Sequence, residues 1–130
     1  MLKSLLVVLA AIVSIALFSP RALAATDVRL EATARAGASK AVSKYEERSR
    51  GGQVQQRFQV QVERMVAGSQ LAVTVNGKLM GTITVNQFGR GSLDQRVGSD
   101  DPGTPVKSLP HMQAGDTVTV GTLSAVFAVR

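Results

Sequence analysis

The chain has 130 residues, no cysteine, no tryptophan, a single histidine and a formal net charge of +6. A chain of this length is expected to form one domain. The missing cysteines exclude a disulfide framework, a thiolate metal site and a cysteine nucleophile, and the single histidine excludes a multi-histidine metal cluster.

The first 24 residues have the pattern of a secretory signal peptide. A basic start is followed by an apolar stretch over residues 5–18, and Ala22-Leu23-Ala24 offers the small residues that a signal peptidase recognises. The apolar stretch is shorter than the roughly 20 residues of a membrane span. We expect cleavage after Ala24, which leaves one exported domain over residues 25–130 without a membrane span. An uncleaved signal anchor is the alternative.

Alternation of apolar and polar residues predicts the first strand over residues 28–36. Val28, Leu30, Ala32, Ala34 and Ala36 share one face of this strand, and the polar residues between them share the other. A period of two is typical of a strand that is buried on one side.

The next segment, residues 41–62, predicts a β-hairpin around Gly51-Gly52. Glycine adopts the positive φ of a two-residue turn, although the propensities of residues 41–49 also permit a helix. In the hairpin register Tyr45 lies opposite Phe58 on the inner face, and Glu46 lies opposite Arg57 on the outer face. Aromatic and opposite-charge pairs of this kind each stabilise a sheet by roughly 0.2–1 kcal/mol.

A second hairpin is predicted at Asn76-Gly77, the strongest short hairpin signal. The loop length decides which side chains share a face, because successive residues of a strand alternate between faces. A three-residue loop that includes Val75 is favoured, since Val73 then lies opposite Leu79 and the large aliphatic side chains share one face.

The rest of the chain predicts further strands and one long loop. Leu93 and Val97 are the inward residues of a strand over residues 92–97, and residues 98–110 form a loop with three prolines. Phe88, in the turn before that strand, either closes one end of the domain or is exposed to a ligand. After a strand over residues 117–120, the segment 122–130 is expected to form one covered strand, with these residues on one face: Leu123, Ala125, Phe127 and Val129.

These patterns together predict an all-β fold. We expect a single small antiparallel β-sandwich, or a partly open barrel, with about seven to eight strands after the signal peptide.

Positive charge is concentrated in the first strands. Between residues 28 and 68 basic residues outnumber acidic ones eight to four, which equals the whole excess of +4 in the chain after residue 24. Arg29, Lys44, Arg48 and Arg57 are expected on one solvent-facing side, where they are candidates for binding an anionic glycan, a lipid headgroup or an acidic protein. The alternative is a solubilising surface with interleaved glutamates. Nucleic acid is a poor fit, because no aromatic platform for stacking accompanies the charge.

Acidic residues and His111 supply the candidates for catalysis. Asp100, Asp101 and His111 lie in or beside the long loop, and Asp94 and Asp116 flank it. Carboxylates of this kind serve in acid–base catalysis or as calcium ligands, but Asp and Pro are equally typical of solvated turns. No spacing typical of a metal loop or a catalytic triad accompanies them.

Two functions are therefore compatible with the sequence. The first is an exported, non-catalytic interaction or structural module of the cell envelope or extracellular space, with no cofactor. The second is a small metal-dependent or carboxylate-based hydrolase that uses the region of Asp100, Asp101 and His111. The periplasm and the extracellular medium are both compatible with the signal peptide, and the sequence does not predict an oligomeric state.

Overall fold

The computed structural model describes residues 26–98 and 103–130, which form strands, turns and irregular segments without a helix. The expected signal peptide, as well as Asp100 and Asp101, lies outside the described residues. Ten strands are present in the described part: β1 (Thr26–Ala36), β2 (Ser39–Arg50), β3 (Gln53–Glu63), β4 (Gln70–Val75), β5 (Lys78–Thr84), β6 (Gly91–Val97), β7 (Thr104–Pro105), β8 (Thr117–Val120), β9 (Leu123–Val126) and β10 (Ala128–Val129). The expected seven to eight strands were too few, in part because β7 and β10 contain only two residues each.

The larger sheet has six strands in the order β10-β1-β2-β3-β6-β7. Its neighbours are antiparallel except for β6 and β7, which run parallel. The predicted first hairpin is confirmed: Tyr45 pairs with Phe58 and Glu46 pairs with Arg57. Gly51 and Gly52 have φ values of 57° and 84°, as a two-residue turn of this type requires. The helical alternative for residues 41–49 is therefore wrong.

The smaller sheet has four strands in the order β5-β4-β8-β9. The expected three-residue loop of its first hairpin is wrong, because Val75 pairs with Lys78 and the turn consists of Asn76 and Gly77 alone. The register shifts farther along, between Val73 and Thr74, where Met80 of β5 is an extra residue without a partner. The extra residue shifts the alternation of β5 by one position, so that Ile83 points to the same face as Val73. Both side chains are buried, whereas Leu79 is exposed.

Both sheets contribute to one hydrophobic core. In the larger sheet the alternating residues of β1, β2 and β3 are buried, and the Tyr45 and Phe58 pair lies at its centre. The largest fully buried side chains are Tyr45, Phe58, Phe127, Leu30, Ile83, Val60, Val73, Val85 and Val118. Leu93 and Val97 pack against this core as expected.

The last segment does not form the single strand that was expected. It divides at Phe127, where the chain leaves β9 of the smaller sheet and enters β10 of the larger sheet. The Phe127 backbone NH donates to the Asp116 carbonyl at 2.9 Å, and its carbonyl accepts from the NH of Gly115 at 2.9 Å. Phe127 is buried while Val129 is 75% exposed, so the two residues do not share one covered face.

Phe88 does not close the end of the domain. Its side chain is 74% exposed, which corrects the expectation of a plug and agrees with the exposed alternative. The Oδ1 atom of Asn86 accepts from the backbone NH groups of Phe88 and Arg90, at 2.9 and 3.0 Å, and so fixes the local conformation of this turn.

No helix in residues 26–98 or 103–130 has the length and apolar character needed to cross a bilayer.

Candidate functional site

The outer face of the larger sheet carries ordered rows of charged and polar side chains. In one row Arg29 lies beside Glu46, which lies beside Arg57, and in the next row Lys44 lies between Glu31 and Gln59. Successive residues of a strand alternate between faces, so this register places all the predicted basic residues on the same face. That face contains Arg29, Lys44, Arg48 and Arg57, and their binding role stays a prediction.

Arg57 is engaged in a cross-strand ion pair with Asp94 of β6. Its Nε and Nη2 atoms donate to the two carboxylate oxygens at 3.2 and 2.9 Å, and the Gln59 amide donates to the same carboxylate at 3.3 Å. Two parallel hydrogen bonds make this a strong geometry for an arginine and a carboxylate. Asp94 therefore neutralises Arg57 and joins β3 to β6, which makes Arg57 a poorer candidate for an anionic ligand than its neighbours.

Two further ion pairs lie along the other side of the same face. Arg130 donates to Glu46 at 2.5 Å, and Arg50 donates to Asp27 at 3.4 Å. The expected position of Glu46 opposite Arg57 is confirmed, but the carboxylate of Glu46 bonds to Arg130 and the two-bond partner of Arg57 is Asp94. An ion pair on the exposed face of a sheet contributes little to stability, roughly 0–1 kcal/mol.

A depression of about 520 Å³ lies on the outer face where β2, β3 and β6 meet the β5–β6 turn. A smaller one of about 120 Å³ adjoins it and shares Val42 and Gln61 with it. We call the two together the outer groove. Its side chains from the outer face and the turn are Lys40, Val42, Lys44, Gln59, Gln61, Glu63, Asn86, Arg90 and Ser92.

The local chain explains why the groove has this composition. The outward positions of β2 and β3 supply Lys40, Lys44, Gln59 and Gln61 by alternation alone. Arg90 is placed by the Asn86 turn, in which the Asn86 NH also donates to the Arg90 carbonyl at 2.7 Å. Among the residues that the structure describes, the groove thus combines three cations with two side-chain amides on β3, and Glu63 is the one carboxylate that lines it.

Gly91 allows β6 to begin directly beside this groove. A Cβ atom at that position would lie 2.5 Å from Cγ2 of Ile83, and real Cβ atoms do not come so close to another carbon. Glycine therefore permits the close contact between β6 and the smaller sheet, and it leaves Arg90 and Ser92 at the rim of the groove.

The predicted loop residue His111 belongs to a different polar cluster. Its Nδ1 atom lies 2.7 Å from Glu47, whose carboxylate also accepts the hydroxyl proton of Tyr45. The buried Gln56 amide donates to the Tyr45 hydroxyl at 2.9 Å and to the Leu109 carbonyl at 3.1 Å. Burial, and then the hydrogen bond to Glu47, hold the pKa of Tyr45 well above its usual value.

This cluster attaches the segment before β8 to the larger sheet. The carbonyls of Leu109 and Pro110 both accept from Gln56, and His111 contacts Glu47. The structure does not join His111 to Asp94, which bonds to Arg57 and Gln59 on the outer face. Within residues 26–98 and 103–130, no group of three or more His, Asp or Glu side chains could hold a metal ion.

Asp116 forms a turn. Its carboxylate accepts from the backbone NH of Gln113 at 2.9 Å, which is the role that aspartate has in local turns.

Comparison of the chain with protein-family models, with curated proteins and with solved structures finds no significant match.

Sequence reasoning identified the charged face but not the groove in it. Lys40, Gln59 and Gln61 were visible as outward positions of the first hairpin, and its predicted register places them on the same face as Lys44. Arg90 could not be placed in this way, because its position depends on how the β5–β6 turn folds back beside β6.

Proposed function

We propose that the protein is an exported, non-catalytic binding module of the cell envelope or extracellular space. In this proposal the two sheets pack as a β-sandwich after removal of the signal peptide, and the outer groove binds an anionic polysaccharide. The observation that carries the proposal is the composition of the groove: Lys40, Lys44 and Arg90 line it with the Gln59 and Gln61 amides.

The chemistry of these side chains fits an acidic sugar polymer. Ammonium and guanidinium groups attract sulfate or carboxylate groups, and side-chain amides donate to and accept from sugar hydroxyls. The lining side chains found among the described residues include no aromatic ring, so recognition would rest on ionic and amide contacts. A single-stranded nucleic acid, which binds by stacking as well as by charge, is a poorer fit.

The test is retention on an immobilised sulfated polysaccharide as a function of salt. A variant with Lys40→Gln, Lys44→Gln and Arg90→Gln removes the groove cations. A control with Arg50→Gln, Lys78→Gln and Lys107→Gln removes the same charge elsewhere. Ionic binding weakens with salt in proportion to the number of contacts, so the groove variant should elute at clearly lower salt than the control.

The proposal predicts that the parent chain elutes above physiological salt and that the control variant elutes at nearly the same salt concentration as the parent. Equal shifts for the two variants would show attraction to net charge alone and would contradict a site in the groove. Elution of the parent below physiological salt would also contradict the proposal. Circular dichroism spectra of all three proteins verify that the substitutions leave the fold intact.

A further inference from the structure

Two neighbouring loops at one end of the molecule expose apolar side chains. The β3–β4 loop presents Val66, which is 77% exposed, and the β5–β6 loop presents Phe88, which is 74% exposed. The backbone NH of Met65 donates to the Gly89 carbonyl at 3.0 Å, so the residues that adjoin Val66 and Phe88 are hydrogen-bonded to each other. We call these two loops, residues 64–69 and 85–90, the tip.

The tip is held in a fixed conformation. The Oδ1 atom of Asn86 accepts from two backbone NH groups of its own turn, and the Arg64 carbonyl accepts from the Ser39 hydroxyl at 2.7 Å. Gly89 has a φ of 77°, and a Cβ atom there would lie 2.9 Å from the Met65 carbonyl oxygen. The two loops therefore touch, and the backbone that carries Phe88 is held in place by these bonds.

An apolar cleft opens beside the tip. It has a volume of about 430 Å³, and Met65, Leu71 and Leu123 contribute to its lining together with Val66. Arg64 and Ser39 also line it, so a cation lies next to the apolar surface. Scattered exposed aliphatic residues are ordinary, but a fixed pair beside an apolar cleft is a candidate contact surface.

The charge around the tip is predominantly positive. Arg64 and Arg90 lie in the two loops, and Arg35 and Lys40 face each other across the end of the β1–β2 hairpin. Within the described part of the chain, the acidic residue at this end is Glu63, which pairs with Lys40 in the strand register. Exposed apolar side chains surrounded by cations complement a surface that is anionic outside and apolar beneath.

We propose that the tip docks on an anionic phospholipid surface, with Phe88 and Val66 at the level of the upper acyl chains and Arg64 and Arg90 against lipid phosphates. A stable protein partner buries about 800 Å² on each side, which is much more than two side chains offer. Shallow insertion combined with attraction to anionic headgroups needs only a small apolar area. This inference goes beyond the proposed function, since Arg64, Val66 and Phe88 do not line the outer groove; Arg90 belongs to both surfaces.

The chain contains no tryptophan, so a single introduced tryptophan is a specific fluorescent reporter. A Phe88→Trp variant places the only indole at the tip. A matched Leu79→Trp variant places it at another exposed apolar position, 62% exposed, beside the Asn76-Gly77 turn at the opposite end of β4 and β5. Vesicles of equimolar phosphatidylcholine and phosphatidylglycerol, with a brominated acyl chain as quencher, then report which end enters the lipid.

The proposal predicts a blue shift and quenching for Phe88→Trp on these vesicles and neither effect for Leu79→Trp. Because the comparison is between two positions, any affinity of residues 1–24 for lipid acts equally on both proteins. Adding Arg64→Gln to the Phe88→Trp variant should weaken vesicle binding about fivefold, since one cation near an anionic surface contributes about 1 kcal/mol. Lys44→Gln, in the groove, should leave vesicle binding unchanged.

Four results would overturn the proposal. They are no blue shift at position 88, equal quenching at both positions, undiminished quenching on vesicles of phosphatidylcholine alone, and a dimer in solution that Phe88→Ser dissolves. The last result would assign the tip to self-association. Failure of vesicle binding with intact retention on the sulfated polysaccharide would leave the proposed function standing, so the two proposals fail separately.

Discussion

At the scale of single residues, Tyr45 is the most unusual group in the structure. It is the only tyrosine of the chain, it is fully buried, and its hydroxyl donates to Glu47 while it accepts from Gln56. An exposed tyrosine has a pKa of about 10. Burial and the adjacent Glu47 carboxylate raise the pKa of Tyr45 above that value, because both disfavour the phenolate.

This shift predicts how stability depends on alkaline pH. Above about pH 10 the unfolded chain releases the phenolic proton and the folded chain keeps it, so the free energy of unfolding falls by up to about 1.4 kcal/mol per pH unit. A Tyr45→Phe variant lacks this contribution, and its stability should fall less steeply over the same range. Urea unfolding at a series of pH values measures both slopes, and parallel slopes would contradict the assignment.

The sequence predicted the position of Tyr45 but not its polar partners. Pairing with Phe58 followed from the register of one hairpin, which depends only on where the turn lies. The bonds from Gln56 to Leu109 and Pro110 span more than fifty residues of chain, and no local pattern contains that information. For the same reason His111 was assigned to a group of acids, whereas its partner in the structure is Glu47 of β2.

At the scale of elements, the β4–β5 hairpin shows what parity does and does not predict. Burial of Val73 and Ile83 requires one extra residue between the turn and Ile83, and this requirement was evident from the sequence. The position of that residue was not evident, since a longer loop and a bulge each add one residue and turn the side chains beyond it to the opposite face. The two-residue turn forms because Asn76 and Gly77 adopt positive φ, and Met80 becomes the bulge.

This register predicts that deletion of Met80 preserves the fold. Removal of the bulged residue leaves Thr74 opposite Leu79 and Val73 opposite Gly81, in a regular ladder. The hydrogen bond from the Gln95 amide to the Met80 carbonyl, 2.8 Å long, is lost, which costs about 1 kcal/mol.

The control for this deletion is Met80→Ala, which removes the side chain and keeps the bulge. Thermal melts should place the deletion within a few degrees of Met80→Ala, both with cooperative transitions. Loss of the cooperative transition in the deletion alone would contradict the register.

The outer groove also belongs to the scale of elements. Alternation along β2 and β3 made the cations of the outer face predictable, whereas the ion pair of Arg57 with Asp94 depends on β6 lying next to β3. Strand order is a property of the whole chain, and periodicity does not encode it. The sequence therefore could not show that Arg57 forms an ion pair with Asp94, since Asp94 lies on a strand distant in the chain.

At the scale of the whole molecule, Phe127 links the two sheets. Composition and alternation predicted a single all-β domain, but they also predicted that residues 122–130 continue as one strand. The structure divides this segment between the sheets, since β9 pairs with β8 and β10 pairs with β1. Two apolar residues of the same parity, Phe127 and Val129, thus have opposite environments.

A matched pair of substitutions tests this division. Phe127→Ala removes a buried ring and should destabilise the protein by about 3–5 kcal/mol. Val129→Ala changes an exposed side chain and should alter stability by no more than about 0.5 kcal/mol. Chemical denaturation of the two variants gives both values, and similar costs for both would show that the segment packs as one covered strand.

The central claim is that the outer groove binds an anionic sugar polymer. Its most direct test is titration of the isotope-labelled protein with a short sulfated oligosaccharide, followed by backbone amide chemical shifts. We predict shifts concentrated in residues 40–44, 59–63 and 86–92, which line the groove from three sides. Shifts confined to residues 103–116, or no shifts at ligand concentrations that saturate a weak site, would contradict it.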